Sequence, residues 1–283
     1  MSETPRCYRH PDRETLVSCS DCGRPICEEC MTFAPVGIKC PEHAGVGAPR
    51  RGSSPQRTVR QARSTVGGVE APATVALVAI NVLVYLITVY QGAGISEPGG
   101  RVFDEGALVG ALIYQDGDWY RILTAMFLHA SLLHLAFNML ALFWLGTVVE
   151  QAIGTWRYLL VYFVSGIAGS AGALLFSSPL AITVGASGAI FGIMGALLVL
   201  EYRATGTFAG QALGLIAVNL LLTFAIPNIS KGGHVGGLVG GILATFALLH
   251  FQYARPRSLG PVLVVLIAVV SVVLAYVRVE SYV

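Results

Sequence analysis

Long apolar runs separated by short polar connections fill the chain from Ala71 onward. A helix needs about 20 apolar residues to cross a hydrocarbon core of roughly 30 Å, so these runs predict transmembrane helices. The second and sixth runs carry polar residues, and the fourth is short. We expect seven spans, near residues 72–91, 127–149, 156–176, 185–202, 209–226, 233–252 and 261–278.

The connection between the first two spans, residues 92–126, is much longer than the others. Phe103, Trp119 and Tyr120 stand among charged residues in it. Amphipathic aromatic residues are typical of the membrane–water interface, so we expect a loop that lies there.

Two polar regions precede the first span. Residues 1–45 form a small module rich in cysteine and histidine, and residues 46–70 predict a flexible basic linker because arginines are scattered among Gly, Ser, Pro and Gln. The first 70 residues contain no apolar segment of the kind that a cleaved secretory signal has. The linker arginines are Arg50, Arg51, Arg57, Arg60 and Arg63.

Composition agrees with a membrane protein. Of the 283 residues, 54% are hydrophobic and 12% are charged, which excludes a single soluble domain for most of the chain. The net charge of +2 argues against a nucleic-acid partner.

Basic residues predict the orientation. The linker arginines share one side of the membrane with Arg157, Arg203, Arg255 and Arg257, and the positive-inside rule makes that side cytoplasmic. Seven spans then place the C-terminus outside. The compact layout and the Ala/Gly/Val-rich spans lead us to expect a bacterial plasma membrane.

Three of the predicted spans carry polar residues that are costly in lipid and therefore candidates for function. His129, His134 and Asn138 lie at the second span, and Ser187 stands between glycines at the start of the fourth. The sixth opens with Gly232-Gly233-His234.

Small residues let helices approach closely in a membrane, so the fourth and sixth spans are expected to bring Ser187 and His234 within hydrogen-bonding reach. A neutral imidazole can then accept the serine proton and make the serine a nucleophile. His134 and Asn138 are candidate donors to an oxyanion. A single serine in such a helix more often bonds a carbonyl of its own helix, and a lone buried histidine is more often structural. The conjunction of these residues favours catalysis.

These motifs resemble those of the rhomboid family of intramembrane serine proteases, over about residues 72–253. The shared patterns are the Gly185-Ala186-Ser187-Gly188 serine, the His129-x4-His134-x3-Asn138 helix and the His234-x2-Gly237-x3-Gly241 helix. Gly146-x3-Glu150-x3-Gly154 also matches, and Trp119-Tyr120-Arg121 is a variant of the family's Trp-Arg pair.

The resemblance implies an all-α polytopic membrane protein with a six-helix core over 71–253 and a water-accessible cavity open to the outside. Residues 254–283 would add a seventh C-terminal span. It also implies an endopeptidase that cleaves transmembrane protein substrates within lipid and needs no cofactor for catalysis. The alternatives are a catalytically inactive rhomboid-like adaptor and a transporter regulated by the N-terminal module.

Individual roles follow from the same resemblance. Ser187 would be the nucleophile and His234 the general base, with no acidic third member. Asn138 and His134 would assist the oxyanion, and His129 would belong to the surrounding polar network. Apart from the resemblance, we expect Glu150 to cap or tie a helix end at the cytoplasmic interface and Arg121 to anchor the first loop. His250 matches no family motif, and we expect it to lie at the interface. Close packing at the active site would involve Gly185, Gly188, Phe191, Gly237 and Gly241.

The N-terminal cysteines and two histidines occur in four pairs, each separated by two residues. This spacing lets both members of a pair reach one tetrahedral Zn²⁺, and eight ligands suit two structural ions. The module resembles B-box zinc fingers, which implies a crossed arrangement: Cys7, His10, Cys27 and Cys30 at one site, and Cys19, Cys22, Cys40 and His43 at the other. Sequential pairing is the alternative. We expect the module to dock a cytoplasmic protein partner, and nucleic-acid binding is a weaker possibility.

Overall fold

The computed structural model describes residues 4–33, 38–43, 71–92, 94–95, 97–251 and 258–282. Its contacts divide the chain into two compact units, Met1–Gly68 and Val69–Val283. The predicted linker at 46–70 lies outside the described residues, as do Arg255 and Arg257.

The described part of the N-terminal unit consists of short turns and a small two-stranded antiparallel sheet. Strand β1 (Thr32–Phe33) pairs with strand β2 (Ile38–Lys39). Its buried cluster consists of Ile26 and five cysteines, so few apolar side chains are available to stabilise it by packing.

In the described part of the second unit, helices are joined by short turns and loops, and two isolated β-bridges join loop residues. In chain order, the helices there are α1 (Pro72–Gln91), α2 (Arg101–Gly106), α3 (Gly110–Asp116), α4 (Arg121–Thr124), a 3-10 turn (Ala125–Phe127), α5 (Leu132–Ile153), α6 (Thr155–Phe176), α7 (Ser187–Thr205), α8 (Gln211–Ala225), α9 (Lys231–His250) and α10 (Leu259–Glu280).

Six of these helices are long and apolar enough to cross a membrane: α1, α5, α6, α7, α9 and α10. The predicted fifth span, 209–226, is a shorter helix, since α8 has only 15 residues. At 1.5 Å per residue it extends about 22 Å. The expectation of seven helices of spanning length is therefore corrected to six and one short apolar helix. Glu201 fixes the start of α8 by accepting the N–H groups of Gln211 and Ala212, and extended backbone at Ile226 ends it.

The predicted interfacial loop at 92–126 is not an irregular loop. It contains α2, α3, α4 and most of the 3-10 turn. Because this turn occupies residues up to Phe127, α5 begins at Leu132 and not at the predicted residue 127. Arg121 is buried there and donates to the carbonyl oxygens of Asp104 and Ala107, both at 2.8 Å. It also pairs with the Asp118 carboxylate. Arg121 thus connects the short helices, as expected of an anchor.

Helix α6 lies at the centre of the unit and packs against α7, α9 and α10. Tyr158 and Tyr162 on α6 are fully buried.

At the end of α5, the Glu150 carboxylate accepts the N–H groups of Ala73 and Thr74, so this side chain caps α1. Carboxylates stabilise helix N-termini because the unpaired N–H groups there carry partial positive charge.

Candidate active site

The side chains of Ser187 and His234 meet where α7 and α9 begin. Ser187 is the first residue of α7, and His234 lies one turn into α9, whose start is capped by the Ser230 hydroxyl accepting the Gly233 N–H. The Ser187 Oγ and the His234 Nε2 lie 2.9 Å apart, which is hydrogen-bond distance.

Glycines make this approach possible. A Cβ added at Gly237 would collide with the Gly188 carbonyl, and one added at Gly241 would collide with the Gly192 carbonyl. The backbones of α7 and α9 are thus in direct contact. Every residue with a side chain at these points would push the two helices apart.

The His234 imidazole is held on two further sides. The Phe191 ring stacks on it at a centroid distance of 4.2 Å and an angle of 21°. The Thr223 Oγ1 lies 2.7 Å from the second ring nitrogen, Nδ1. Sequence reasoning placed Phe191 here but missed Thr223. The available signal was the polar pair Asn219 and Thr223, four residues apart on α8, which on its own indicates only ordinary bonding within a helix.

His134 and Asn138 lie beside the backbone that leads into Ser187. Gly185 has a φ of +127°, a conformation that favours glycine, and a Cβ there would lie 2.8 Å from the His134 Nε2 and 3.6 Å from the Asn138 Nδ2. Among the described residues, the buried Asn138 Nδ2 has no hydrogen-bond partner. An amide donor is therefore available close to the serine.

His129 occupies a different position. It is fully buried and contacts His134 edge-on, with ring centroids 5.1 Å apart. Within the described part of the chain, neither of its ring nitrogens has a partner. It therefore lies behind His134 and does not line the cavity described next.

A cavity of about 790 Å³ opens at these side chains. Ser187, His234, His134 and Asn138 line it, together with apolar residues such as Met126. It brings together a serine hydroxyl, an imidazole at hydrogen-bond distance from it, and an amide N–H donor that has no partner among the described residues. A hydroxyl next to an imidazole is an arrangement that nucleophilic catalysis can use.

The described N-terminal residues form two clusters of potential metal ligands, Cys7/His10/Cys27/Cys30 and Cys19/Cys22/Cys40/His43. The ligand atoms within each cluster lie within 4.8 Å of one another. The His10 Nδ1, for example, is 3.3 Å from the Cys27 Sγ and 3.4 Å from the Cys30 Sγ. Tetrahedral Zn²⁺ with bonds of about 2.0–2.3 Å separates its ligands by roughly 3.3–3.8 Å, so both clusters fit a metal ion. The grouping is the crossed one and not the sequential alternative.

The sulfur atoms of the first cluster differ in their electrostatic environment. Burial raises the pKa of the Cys7 thiol, but the backbone amides of Cys27, Arg9 and His10 outweigh it and lower the pKa to about 6. Burial raises the pKa of the Cys30 thiol to about 12, and interactions with Cys7 and Cys27 act in the same direction. Negatively charged thiolates this close together repel one another, and a divalent cation at the centre of the cluster would offset that repulsion.

Comparison with known proteins gives a consistent family. The family model of the Rhomboid domain matches residues 116–251. The rhomboid protease GluP of Bacillus subtilis (strain 168) is 40% identical over 183 residues, 62% of this chain and 34% of GluP. YdcA of the same organism is 36% identical over 149 residues, 50% of this chain and 72% of YdcA. RHOMBOID-like protein 7 of Arabidopsis thaliana is 38% identical over 155 residues, 52% of this chain and 49% of the relative.

The six helices that are long and apolar enough to cross a membrane define an integral membrane protein. The chain belongs to the rhomboid family, since it covers most of YdcA at 36% identity and carries the Rhomboid domain. It spans about a third of the length of GluP and about half of that of the Arabidopsis relative.

Proposed function

We propose that the protein is an intramembrane serine endopeptidase that acts through a Ser187–His234 dyad. The observation that carries this proposal is the 2.9 Å contact between the Ser187 Oγ and the His234 Nε2 at the wall of the 790 Å³ cavity. The same function is supported by the similarity to GluP, a member of the same family that is named a protease.

In the proposed reaction, the Ser187 Oγ attacks the carbonyl carbon of the scissile peptide bond while its proton passes to the His234 Nε2. The tetrahedral intermediate collapses with cleavage of the C–N bond, and the leaving amine takes the proton from Nε2. A water molecule then attacks the acyl-enzyme ester, gives a proton to Nε2 and releases the carboxylic acid, after which the proton returns to Ser187.

The oxyanion of the intermediate needs donors that are in place before the reaction. The Asn138 Nδ2 is unpaired among the described residues, and His134 lies next to it against Gly185. Ser187 is the first residue of α7, where the N–H groups have no partner within the helix. We assign oxyanion stabilisation to these three groups.

Asn138→Ala should lower kcat by about ten- to a thousandfold, because it removes a donor to charge that develops only in the transition state. KM should change little. Cleavage kinetics on a transmembrane reporter substrate in detergent would measure both constants, and the thermal unfolding of the variant would control for folding. An unchanged kcat in a folded variant would contradict the role of Asn138.

We further propose that the substrates are transmembrane proteins. A helix in lipid satisfies its own backbone groups, so a scissile bond becomes reachable only where the substrate helix unwinds. The cavity at the starts of α7 and α9 can receive such a segment. Small or helix-weakening residues near the cleaved bond would favour unwinding.

The proposed orientation places the start of α1 in the cytoplasm. Arg157, near the start of α6, and Arg203, near the end of α7, then lie on the same side of the membrane as the start of α1. Ser187 and His234 lie at the starts of α7 and α9, which are on the other side. By the positive-inside rule, the cavity then opens toward the outside.

Labelling with a fluorophosphonate probe tests the proposal directly. We expect the probe to form a covalent adduct at Ser187, identified by mass spectrometry of the full chain in detergent, because the probe reacts with base-activated serines. A transporter or an inactive adaptor would not be labelled at this residue. Absence of the adduct in folded protein would therefore reject the proposed enzyme.

For the N-terminal unit we propose two structural Zn²⁺ ions in a B-box-like arrangement. The two four-ligand clusters are closed, so they leave no position for a catalytic water. Because its buried cluster is formed mainly by the ligands themselves, metal binding would supply much of the folding free energy. The folded module would then be available to a cytoplasmic protein partner.

Zinc analysis of the purified chain should find two ions per molecule, and Cys27→Ser should lower this number because one site loses a thiolate. Chelation should make the N-terminal residues sensitive to a protease. Ser20→Ala, which removes an exposed hydroxyl next to Cys19, is the matched control and should retain both ions. A metal-free native protein, or two ions in Cys27→Ser, would contradict the assignment.

A further inference from the structure

Thr223 makes a polar contact that the dyad reaction as written does not require. It lies on α8, is 1% exposed, and places its Oγ1 2.7 Å from the His234 Nδ1. The same oxygen lies 2.7 Å from the carbonyl oxygen of Asn219, one turn earlier on α8. A threonine hydroxyl carries a single proton, so it can donate to only one of these two atoms.

The two choices have different consequences for the imidazole. If Thr223 donates to the Asn219 carbonyl, its oxygen accepts from the His234 Nδ1–H, and the Nε2 lone pair faces Ser187. If Thr223 instead donates to Nδ1, the ring proton must be on Nε2, where it blocks proton transfer from Ser187. A carbonyl oxygen has no proton and must accept, so donation to Asn219 gives every one of these groups a matched partner.

We propose that Thr223 is a positioning residue that keeps the proton of neutral His234 on Nδ1 and thereby keeps Nε2 ready to accept the Ser187 proton. This inference rests on the proposed function and deepens it. The Asn219 carbonyl orients the Thr223 hydroxyl, the hydroxyl oxygen orients the ring, and Phe191 stacks on the ring face. A neutral hydroxyl on a neighbouring helix thus does the orienting work that a carboxylate performs in three-membered serine protease sites.

During acylation the contact becomes stronger. When Nε2 takes the Ser187 proton, the ring becomes a cation with two N–H donors, and Nδ1–H donates to an oxygen already in place. No atom has to reorient at that step. The Nδ1 proton stays on the ring throughout, so Thr223 transfers nothing and acts only through His234.

The position of the ring proton can be read by ¹⁵N NMR of histidine-labelled full-length protein at mildly alkaline pH, with the His234 signals assigned from their loss in His234→Asn. We expect a protonated Nδ1 and an unprotonated Nε2 in the native protein. Thr223→Val, which has nearly the same shape, should yield a mixture of the two tautomers, and Thr223→Ser should restore the native signals. A native Nε2–H tautomer, or an unaltered tautomer in Thr223→Val, would overturn the proposal.

Kinetics supply the second readout. Thr223→Val should lower kcat by about ten- to a hundredfold with KM nearly unchanged, because a buried N–H loses its acceptor and part of the population holds the wrong tautomer. Thr223→Ser should recover most of the loss. Thr245→Val is the matched control: it removes a buried hydroxyl on α9 that has no partner among the described residues and should leave kcat unchanged. Native kcat in folded Thr223→Val would also overturn the proposal.

The two readouts separate this inference from the proposed function. Failure of fluorophosphonate labelling in the native protein would reject the enzyme, whereas the NMR tautomer of His234 does not depend on activity. If Thr223→Val does not fold, the His234 tautomer in the native protein and in Thr223→Ala tests the role of Thr223 instead.

Discussion

Replacing either Ser187 or His234 by alanine should abolish proteolysis. Ser187→Ala removes the attacking oxygen, and His234→Ala removes the group 2.9 Å away that takes its proton. The effects of substituting a catalytic serine and its histidine on kcat are not additive. In a well-studied serine protease, the loss of either residue lowers kcat about a millionfold, nearly as much as the loss of the whole catalytic unit. We therefore expect cleavage of a transmembrane reporter substrate in liposomes to fall below detection in each variant and in the double variant.

Two substitutions provide matched controls. Ser165→Ala removes a buried serine hydroxyl on α6 that has no partner among the described residues. His250→Ala removes a histidine from the far end of α9, where it stacks on Phe246. Both proteins should retain activity close to that of the native protein. Activity in purified Ser187→Ala or His234→Ala above a blank without enzyme would refute the dyad.

Gly237→Ala should impair both stability and activity, although it adds a single methyl group. The new Cβ would meet the Gly188 carbonyl, which is backbone and cannot rotate away. Overpacking of this kind costs about 1–3 kcal/mol. Separation of α7 from α9 would also displace Ser187 from His234, and a shift of about 1 Å can cost roughly a hundredfold in rate. Thermal unfolding in detergent and cleavage kinetics would measure the two effects.

Gly214→Ala serves as the comparison. A Cβ at Gly214 meets no atom within 4 Å, so the same substitution on α8 creates no collision. Because alanine favours a helix over glycine by about 1 kcal/mol, this variant should be as stable as the native protein or more stable. Equal behaviour of Gly237→Ala and Gly214→Ala would show that the contact between α7 and α9 tolerates a side chain.

The sequence predicted those features that follow directly from the high free energy of unpaired polar groups in lipid. Apolar runs predicted the long helices because every unpaired backbone group must be satisfied inside a membrane. Ser187 and His234 stood out because polar residues are rare there, and the glycines around them indicated close helix contact. The structure places these two side chains in contact, as expected.

Other features depend on tertiary contacts that a linear pattern does not contain. The start of α8 is set by the Glu201 carboxylate, which comes from the preceding helix. The four Cys/His pairs have identical spacing, so the sequence left the crossed and sequential groupings open. Thr223 is one of several threonines in apolar helices, and only the packing of α8 against the site brings it to the His234 Nδ1.

The short length of α8 has a consequence for the surrounding lipid. A helix of about 22 Å falls some 8 Å short of an average hydrocarbon core, and such hydrophobic mismatch is met by local thinning of the bilayer or by snorkelling of flanking side chains. Lys231 begins the next helix a few residues after α8 ends, and its long stem is suited to snorkelling. We therefore expect acyl chains beside α8 to be compressed, so that the thickness of the host membrane bears most directly on the helix that carries Thr223.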